Sequence, residues 1–235
     1  PDATQIQRLA LELGRIAGAK VGFLGEGANT VGGYLSGLLQ GGANARSMFE
    51  TPRKGYVLLG VEPELDCANP QAAQAALGKA AFVVSLSPFK SDAALQYADA
   101  ILPVSPYTET AGTFINTEGR VQSFNGVVKP RGETRPAWKL LRVLGNVLNL
   151  PGFEYQSSEE VRNEVLGATA EFANGLDNAL NAAAIAVPAE VKQGLQRIAD
   201  VPIHFADAMA RRAPALQKTA DARAPQLRAN VATLQ

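Results

Sequence analysis

The residues best suited to binding chemistry lie in one stretch, Thr108–Gln122, with the sequence TETAGTFINTEGRVQ. Hydroxyls, carboxylates, glycines and an arginine are concentrated there, directly after the strand-like run AILPV. In an open parallel sheet, ligands bind at the edge formed by the carboxyl ends of the strands. Glu109, Gly112 and Thr113 are therefore candidates for ligand contact. The alternative is that they serve only to complete the fold.

The second half of this stretch has an explanation that needs no ligand. Its sequence FIN-TEG-RVQ is typical of a β-hairpin in which Asn116 starts the turn and Gly119 supplies the left-handed residue. Phe114, Val121 and Phe124 would then pack inward. From Asn116 onward, the pattern predicts a hairpin.

A second candidate is the glycine-rich turn GEGAN (Gly25–Asn29), which is predicted to join a strand to a helix. Backbone N–H groups at such a turn favour a phosphate, as does the helix dipole. The turn departs from the dinucleotide fingerprint because Thr30 replaces the third glycine and Glu26 adds negative charge. Glu62 ends the next strand as a ribose-binding acid would, but it lies too far along the chain. We predict that the glycines shape a tight turn and that NAD does not bind.

Composition excludes several other classes of site. Cys67 and His204 are the only residues of their types, so the chain cannot form a disulfide framework, a cysteine-ligated zinc or iron–sulfur site, or a histidine-rich metal site. No nucleophile elbow, Walker loop or metal-spaced carboxylate pattern is present, so no catalytic residue is predicted. The 22 basic and 22 acidic side chains cancel, which disfavours nucleic acid and anionic membranes as partners. No apolar run approaches the roughly 20 residues that span a bilayer.

Hydrophobic periodicity predicts the elements that position these candidates. An amphipathic helix over residues 3–18 precedes four apolar strands, at Lys20–Gly25, Tyr56–Pro63, Ala81–Ser87 and Ala100–Val104. Helices are predicted after GEGAN, at Asn69–Ala80 and at Ser91–Ala98. This alternation is typical of a parallel sheet covered on both faces. The predicted fold class is α/β, a Rossmann-like doubly wound parallel sheet.

The character of the sequence changes near residue 150. Asn149–Glu160 is rich in turn residues, and Ser157 and Glu160 within it have capping-box spacing. The alanine-rich tail beyond is interrupted by prolines, and its arginines alternate with aspartates as on a solvated face. We predict a Rossmann-like domain over residues 1–150 and a helical extension over 151–235 packed on it. The start at Pro1 suggests processing or a piece of a longer protein.

The segment from Ala98 to Leu141 resembles the signature region of the molybdopterin oxidoreductase superfamily. That pattern has Ala-Asp before a strand ending in Leu-Pro, then Glu, Gly-Thr, Asn-x-Glu-Gly-Arg-x-Gln and Pro-x-Gly-Glu-x-Arg-x-x-Trp. In this sequence it falls on Asp99, Leu102, Pro103, Glu109, Gly112, Thr113, Asn116, Glu118, Gly119, Arg120, Gln122, Pro130, Gly132, Glu133, Arg135 and Trp138. The superfamily includes formate dehydrogenases, nitrate reductases and a subunit of respiratory complex I. The resemblance implies its α/β domain.

Within the superfamily, the form TFINTEGRVQ and the weak phosphate turn resemble the large iron–sulfur subunits of bacterial NADH:quinone oxidoreductase, respiratory complex I. That resemblance implies a structural, non-catalytic portion with neither pterin nor metal. Its iron–sulfur clusters would lie in a preceding region of the parent protein. Its partners would be other peripheral-arm subunits, in a cytoplasmic location at the inner face of the bacterial membrane but not inserted in it.

The alternative implied by the same resemblance is a domain that binds a pterin guanine dinucleotide in a formate dehydrogenase-like molybdenum or tungsten oxidoreductase. In both cases the residues expected on the cofactor side, in use or vestigial, are Gly25, Gly27, Asn29, Glu109, Gly112, Thr113 and Asn116. Trp138 is predicted to pack the signature run. If its indole is buried, Trp138→Ala should cost about 3–5 kcal/mol.

Overall fold

The computed structural model describes residues 3–22, 24–25, 27–37, 42–167 and 201–223. The chain divides into two compact units, Pro1–Val187 and Pro188–Gln235. The predicted division at residue 150 and the packing of the tail on the first domain stay predictions. None of the helices in the described ranges is long and apolar enough to cross a membrane.

In the first unit, helices alternate with strands. The helices are α1 (Ala3–Ala17), α2 (Thr30–Leu35), α3 (Ala45–Glu50), α4 (Pro63–Asp66), α5 (Pro70–Leu77), α6 (Ala94–Tyr97), α7 (Ala137–Val147) and α8 (Ser158–Leu166). The strands are β1 (Gly55–Leu59), β2 (Phe82–Ser87), β3 (Ala100–Pro103), β4 (Gly112–Ile115) and β5 (Val121–Phe124). A short 3₁₀ turn, Tyr107–Glu109, precedes β4.

Strands β1, β2 and β3 form a parallel sheet in that order. Val57 pairs with Val84, and Ser85 pairs with Ile101. The α/β class and the parallel sheet are therefore confirmed. The strand order does not reverse among these three strands, so they do not themselves form the switch point of a doubly wound sheet.

The core lies between one face of this sheet and α5. Tyr56, Leu58 and Val83 alternate with outward-facing residues along their strands, which places all three on the same face. They pack in one cluster with Ala76 and Leu77 of α5. Pro70 opens α5 at a position where its missing N–H costs nothing, and the Asn69 side chain caps the helix by accepting from the Ala72 N–H at 3.0 Å.

The strand predicted at Lys20–Gly25 is not formed in the structure. Its described residues, 20–22 and 24–25, are irregular. The chain turns back on α1 instead, because the Ala19 N–H donates to the Gly14 carbonyl at 2.9 Å. Val21 then packs so closely that a Cβ at Gly14 would lie 2.3 Å from Val21 Cγ2. Leu24 is 84% exposed, so this segment does not supply the buried strand that its apolar run predicted.

The other predicted elements of the sheet layer are confirmed, with ends shifted by a few residues. The helix predicted at Ser91–Ala98 is α6, and the Ser91 hydroxyl accepts from the Ala94 N–H, at the first residue of the helix, at 3.0 Å. Half of the capping box predicted near residue 157 is present, since Ser157 Oγ accepts from the Glu160 N–H at 3.2 Å, whereas the Glu160 carboxylate accepts from the Gln156 N–H at 2.7 Å.

In the second unit, the described residues form four short 3₁₀ turns, at Ile203–Phe205, Ala210–Arg212, Leu216–Lys218 and Ala220–Ala222. The Asp207 carboxylate accepts from the N–H groups of Met209 and Ala210, at 2.8 and 2.9 Å, at the start of the second of these turns. The rest of the predicted helical extension, residues 168–200 and 224–235, lies outside the described residues.

Candidate functional site

The hairpin predicted at Asn116–Gln122 is present. Strands β4 and β5 pair antiparallel, and Gly119 at the turn has a φ of 79°. The Asn116 side-chain oxygen accepts from the Glu118 and Arg120 N–H groups, at 3.1 and 2.9 Å. An asparagine at this position stabilises the turn by holding its backbone donors. Asn116 is thus engaged in the turn itself.

The prediction that Phe114, Val121 and Phe124 all pack inward was wrong in part. Ile115 pairs with Val121, and Ile115 is only 2% exposed, so this pair forms the inward face. Phe114 is 40% exposed on the opposite face, where its ring meets Phe124 edge to face with centroids 5.1 Å apart. Successive residues of a strand point to opposite faces, so Val121 and Phe124 cannot share one.

The glycine-rich turn closes on itself through Thr30. The Thr30 hydroxyl accepts from the Gly27 N–H at 3.2 Å and donates to the Gly27 carbonyl at 2.9 Å. A Cβ at Gly25 would lie 2.8 Å from the Thr30 side chain, so glycine is required there for close packing. The predicted tight turn is confirmed, and the N–H of Gly27 already has a partner.

One hydrogen bond joins the two stretches that the sequence singled out. The side-chain oxygen of Asn29, at the start of α2, accepts from the backbone N–H of Ile115 at 2.8 Å. Asn29 makes no cap hydrogen bond to its own helix. It instead bonds the end of strand β4 at the buried Ile115, 86 residues further along the chain. The turn and the hairpin therefore form one structure.

Two hollows flank this junction. A shallow hollow of about 650 Å³ lies between the turn and the aromatic face of the hairpin, lined by Gly25, Gly27, Ala28, Phe114, Asn116, Thr117, Gln122, Ser123 and Phe124. A cavity of about 270 Å³ lies between α2, the hairpin, α7 and α8, and its lining includes Asn29, Gly112, Thr113, Ile115, Trp138 and Arg162. Six of the seven candidate residues thus line one hollow or the other.

The seventh candidate, Glu109, lines neither hollow. Its carboxylate accepts from the Arg131 N–H at 3.1 Å and from the Thr134 hydroxyl at 3.4 Å. The same segment returns to the end of β3, where the Ser105 N–H donates to the Arg135 carbonyl at 2.8 Å. Glu109 therefore fastens the later part of the signature run to the sheet edge. Its ligand-contacting role stays a prediction.

The lining of the shallow hollow suits a neutral nucleoside better than a pyrophosphate. Phe114 and Phe124 offer aromatic surface for a base, and Asn116 and Gln122 offer amide groups for a sugar or a base edge. Among the described residues that line it, none is Lys or Arg, the side chains best suited to phosphate. The residues fit one half of a dinucleotide.

A polar cluster that the sequence did not indicate lies beside α4. The Tyr97 hydroxyl donates to Glu64 Oε2 at 3.2 Å, and Ser91 Oγ donates to Glu64 Oε1 at 3.5 Å. Burial and the neighbouring Glu64 carboxylate raise the pKa of Tyr97. Ser91 and Tyr97 lie 27 and 33 residues after Glu64, so no spacing motif connects the three. Glu62, considered above as a strand-end acid, is 6% exposed and does not face an open edge.

The described residues hold no group of three or more His, Cys, Asp or Glu positioned to bind a metal ion. Cys67 is partly buried, and burial together with the Asp66 and Glu64 carboxylates raises the pKa of its thiol. Such a thiol is a poor nucleophile near neutral pH.

A glycine pair on α2 tests the bond between the turn and the hairpin. A Cβ at the buried Gly32 would lie 2.1 Å from the side-chain oxygen of Asn29, whereas a Cβ at Gly33 would meet nothing within 4 Å. Gly32→Ala should displace Asn29 and leave the Ile115 N–H without its acceptor, which lowers the free energy of unfolding by about 1–3 kcal/mol.

The matched control is Gly33→Ala, which should raise the free energy of unfolding by about 0.5–1 kcal/mol because alanine restricts the unfolded chain. Urea denaturation measures both changes. Amide hydrogen exchange at Ile115 should quicken in the Gly32 variant alone. Equal stability of the two variants would show that Asn29 does not hold the hairpin.

Comparison with known proteins gives the following matches. A sequence profile described as molybdopterin oxidoreductase matches residues 3–147, more than half of the chain. A Staphylococcus haemolyticus protein named "Putative formate dehydrogenase" is 32% identical over 115 residues, which is 49% of this chain and 12% of that protein. A protein of the same name from Staphylococcus aureus strain MRSA252 is 34% identical over 116 residues, with the same shares. The chain therefore spans about an eighth of these relatives, whose names give no specific support to the predicted complex I subunit.

Proposed function

Because the chain belongs to the molybdopterin oxidoreductase family, we propose that it is part of a larger redox enzyme of formate dehydrogenase type and that its hairpin holds part of a pterin guanine dinucleotide. The observation that carries this proposal is the shallow hollow between the glycine-rich turn and the hairpin. Both walls come from residues of the family-matched region, and the Asn29–Ile115 bond fixes one wall against the other.

The residues of the hollow have distinct roles in this proposal. The exposed ring of Phe114 stacks against the guanine base. Gln122, which lies on the same face of the hairpin as Phe114, hydrogen-bonds the ribose or the base edge. Gly25 and Gly27 let the backbone of the turn approach the ligand closely. When bound, such a cofactor carries the molybdenum or tungsten that supplies the redox chemistry, and this chain contributes binding and orientation.

A second function is favoured by a different observation. The side-chain oxygens of Asn29, Glu109 and Asn116 all have hydrogen-bond partners within the chain. This is the arrangement expected of residues kept for folding after a cofactor has been lost. The second proposal is therefore a cofactor-free scaffold portion of a complex I subunit, docked to peripheral-arm partners at the inner face of the membrane.

Metal and pterin analysis of the full-length parent protein, purified from its native cells, separates the two proposals. A stoichiometric pterin with molybdenum or tungsten is the result expected for a formate dehydrogenase-like enzyme. Iron without pterin, molybdenum or tungsten would overturn that proposal and favour the scaffold.

A pair of glutamine variants in the parent tests the hollow itself. Gln122→Ala removes an exposed amide from the hollow and should lower the pterin-to-protein ratio several-fold. Gln96→Ala, at an exposed position on α6, is the matched control and should leave the ratio unchanged. A parent that contains pterin but retains it equally in both variants would place the cofactor elsewhere.

A further inference from the structure

One face of the parallel sheet is open at its β1 side. Tyr56 and Leu58 point to the face that α5 covers, whereas Val57, Leu59 and Phe82 point to the other face and are 57%, 46% and 51% exposed. Sheets of purely parallel strands are normally buried on both faces, since their strands are apolar throughout. In the described part of the chain, no other element therefore buries the apolar side chains Val57, Leu59 and Phe82 on this face.

Helix α1 presents a matching apolar stripe. Ile6, Leu9, Leu13 and Ile16 recur at intervals of three, four and three residues, so they share one side of the helix. Their exposed fractions are 64%, 52%, 67% and 70%. A helix with such a stripe is stabilised mainly by burying it against another element. We refer to these four side chains as the α1 stripe.

We propose that α1 acts as a strap that docks the α1 stripe onto the open sheet face at Val57, Leu59 and Phe82. This goes beyond the proposed function and does not depend on it. The dimensions are compatible, because a helix of 15 residues is about 22 Å long and can lie across neighbouring strands about 5 Å apart.

A short connection holds α1 to the rest of the fold. Asn29 is fixed to the hairpin and Val21 packs on Gly14 of α1, so residues 22–28 form the tether. Extended, seven residues reach at most about 23–25 Å, and such a tether keeps α1 near the sheet at an effective concentration on the order of millimolar. A partner in solution would have to compete with this tethered helix. The chain's own stripe is therefore the occupant that the structure favours.

The charged residues of α1 are compatible with the docked arrangement. At 100° per residue, Arg8 and Arg15 lie on the side of the helix away from the stripe. Arg15 also pairs with Glu12 on the exposed surface of α1. Docking therefore buries apolar side chains without removing an arginine from water.

Cross-linking in the full chain tests the proposal. In a Cys67→Ser background, which removes the natural thiol, Val57→Cys is combined with Leu13→Cys on the stripe or with Arg8→Cys on the opposite side. Val57 and Leu13 are exposed and Arg8 is partly exposed, so these variants should fold. A short bismaleimide should link the stripe pair within one chain at least about tenfold faster than the control pair, as expected for a docked, tethered helix. Equal rates would overturn the proposal, and dimers linked between chains would show a second copy as the occupant instead.

A labelling experiment checks the same contact without a cross-linker. The thiol introduced by Val57→Cys is alkylated with a small polar reagent in the Cys67→Ser chain, alone and with Leu13→Asp or Arg8→Asp added. Leu13→Asp should speed alkylation several-fold because a carboxylate in the stripe opposes docking. Arg8→Asp should leave the rate unchanged. Identical rates in all three chains would show that α1 does not cover this face.

Discussion

Leu77→Ala is expected to lower the free energy of unfolding by about 2–5 kcal/mol, the largest effect of any single change considered. Leu77 is 1% exposed and packs in the cluster that joins α5 to the sheet, with Tyr56, Leu58 and Val83. Replacing its side chain by a methyl group removes an isopropyl group and leaves a cavity between α5 and strands β1 and β2. Urea denaturation followed by far-UV circular dichroism measures the loss.

The matched control for Leu77→Ala is Leu95→Ala on α6. Leu95 is 52% exposed, and truncation of such a surface side chain changes stability by about 0.5 kcal/mol or less. A loss of similar size in both variants would mean that the cluster around α5 is not the centre of the fold.

Trp138→Ala is expected to cost about 2–3 kcal/mol, less than the 3–5 kcal/mol expected of a fully buried indole. The reason is that Trp138 is only partly buried and already borders a cavity of about 270 Å³. Truncation therefore enlarges a space that exists between α7, α8 and the inward face of the hairpin. The midpoint of urea denaturation measures the change.

Lys139→Ala is the control for the tryptophan variant, because Lys139 follows on the same helix and its Nζ lies 5.4 Å from the centre of the indole ring. This change removes only the cation–π contact, worth about 0.5–1 kcal/mol at an exposed site. If Trp138→Ala were no more destabilising than Lys139→Ala, the signature tryptophan would have no packing role. A loss of 3–5 kcal/mol would instead restore the prediction for a buried indole.

The two candidate stretches have one structural role in common, whichever proposed function holds. The Asn29–Ile115 bond and the Asn116 turn bonds hold the walls of the shallow hollow. Substituting either asparagine would therefore disturb folding and any ligand together. Gln122 makes a cleaner test, since its side chain is exposed at the hollow.

Elements whose signals are local could be predicted from the sequence. The apolar runs that form β1, β2 and β3 predicted the parallel sheet, because buried parallel strands are apolar throughout. Asn116 and Gly119 predicted the hairpin turn, whose geometry depends only on neighbouring residues. The long signature run likewise predicted the molybdopterin oxidoreductase family, which the profile match confirms.

Features that depend on contacts between distant residues could not be predicted in this way. The apolar run at Lys20–Gly25 predicted a strand, but Val21 packs against Gly14 instead, because an apolar run shows only that it avoids water and not which surface it joins. The side-chain oxygen of Asn29 bonds the Ile115 N–H across 86 residues, and no local pattern encodes such a partner. The position of Glu109 outside both hollows also depends on a distant contact, since its carboxylate accepts from the N–H of Arg131, 22 residues later.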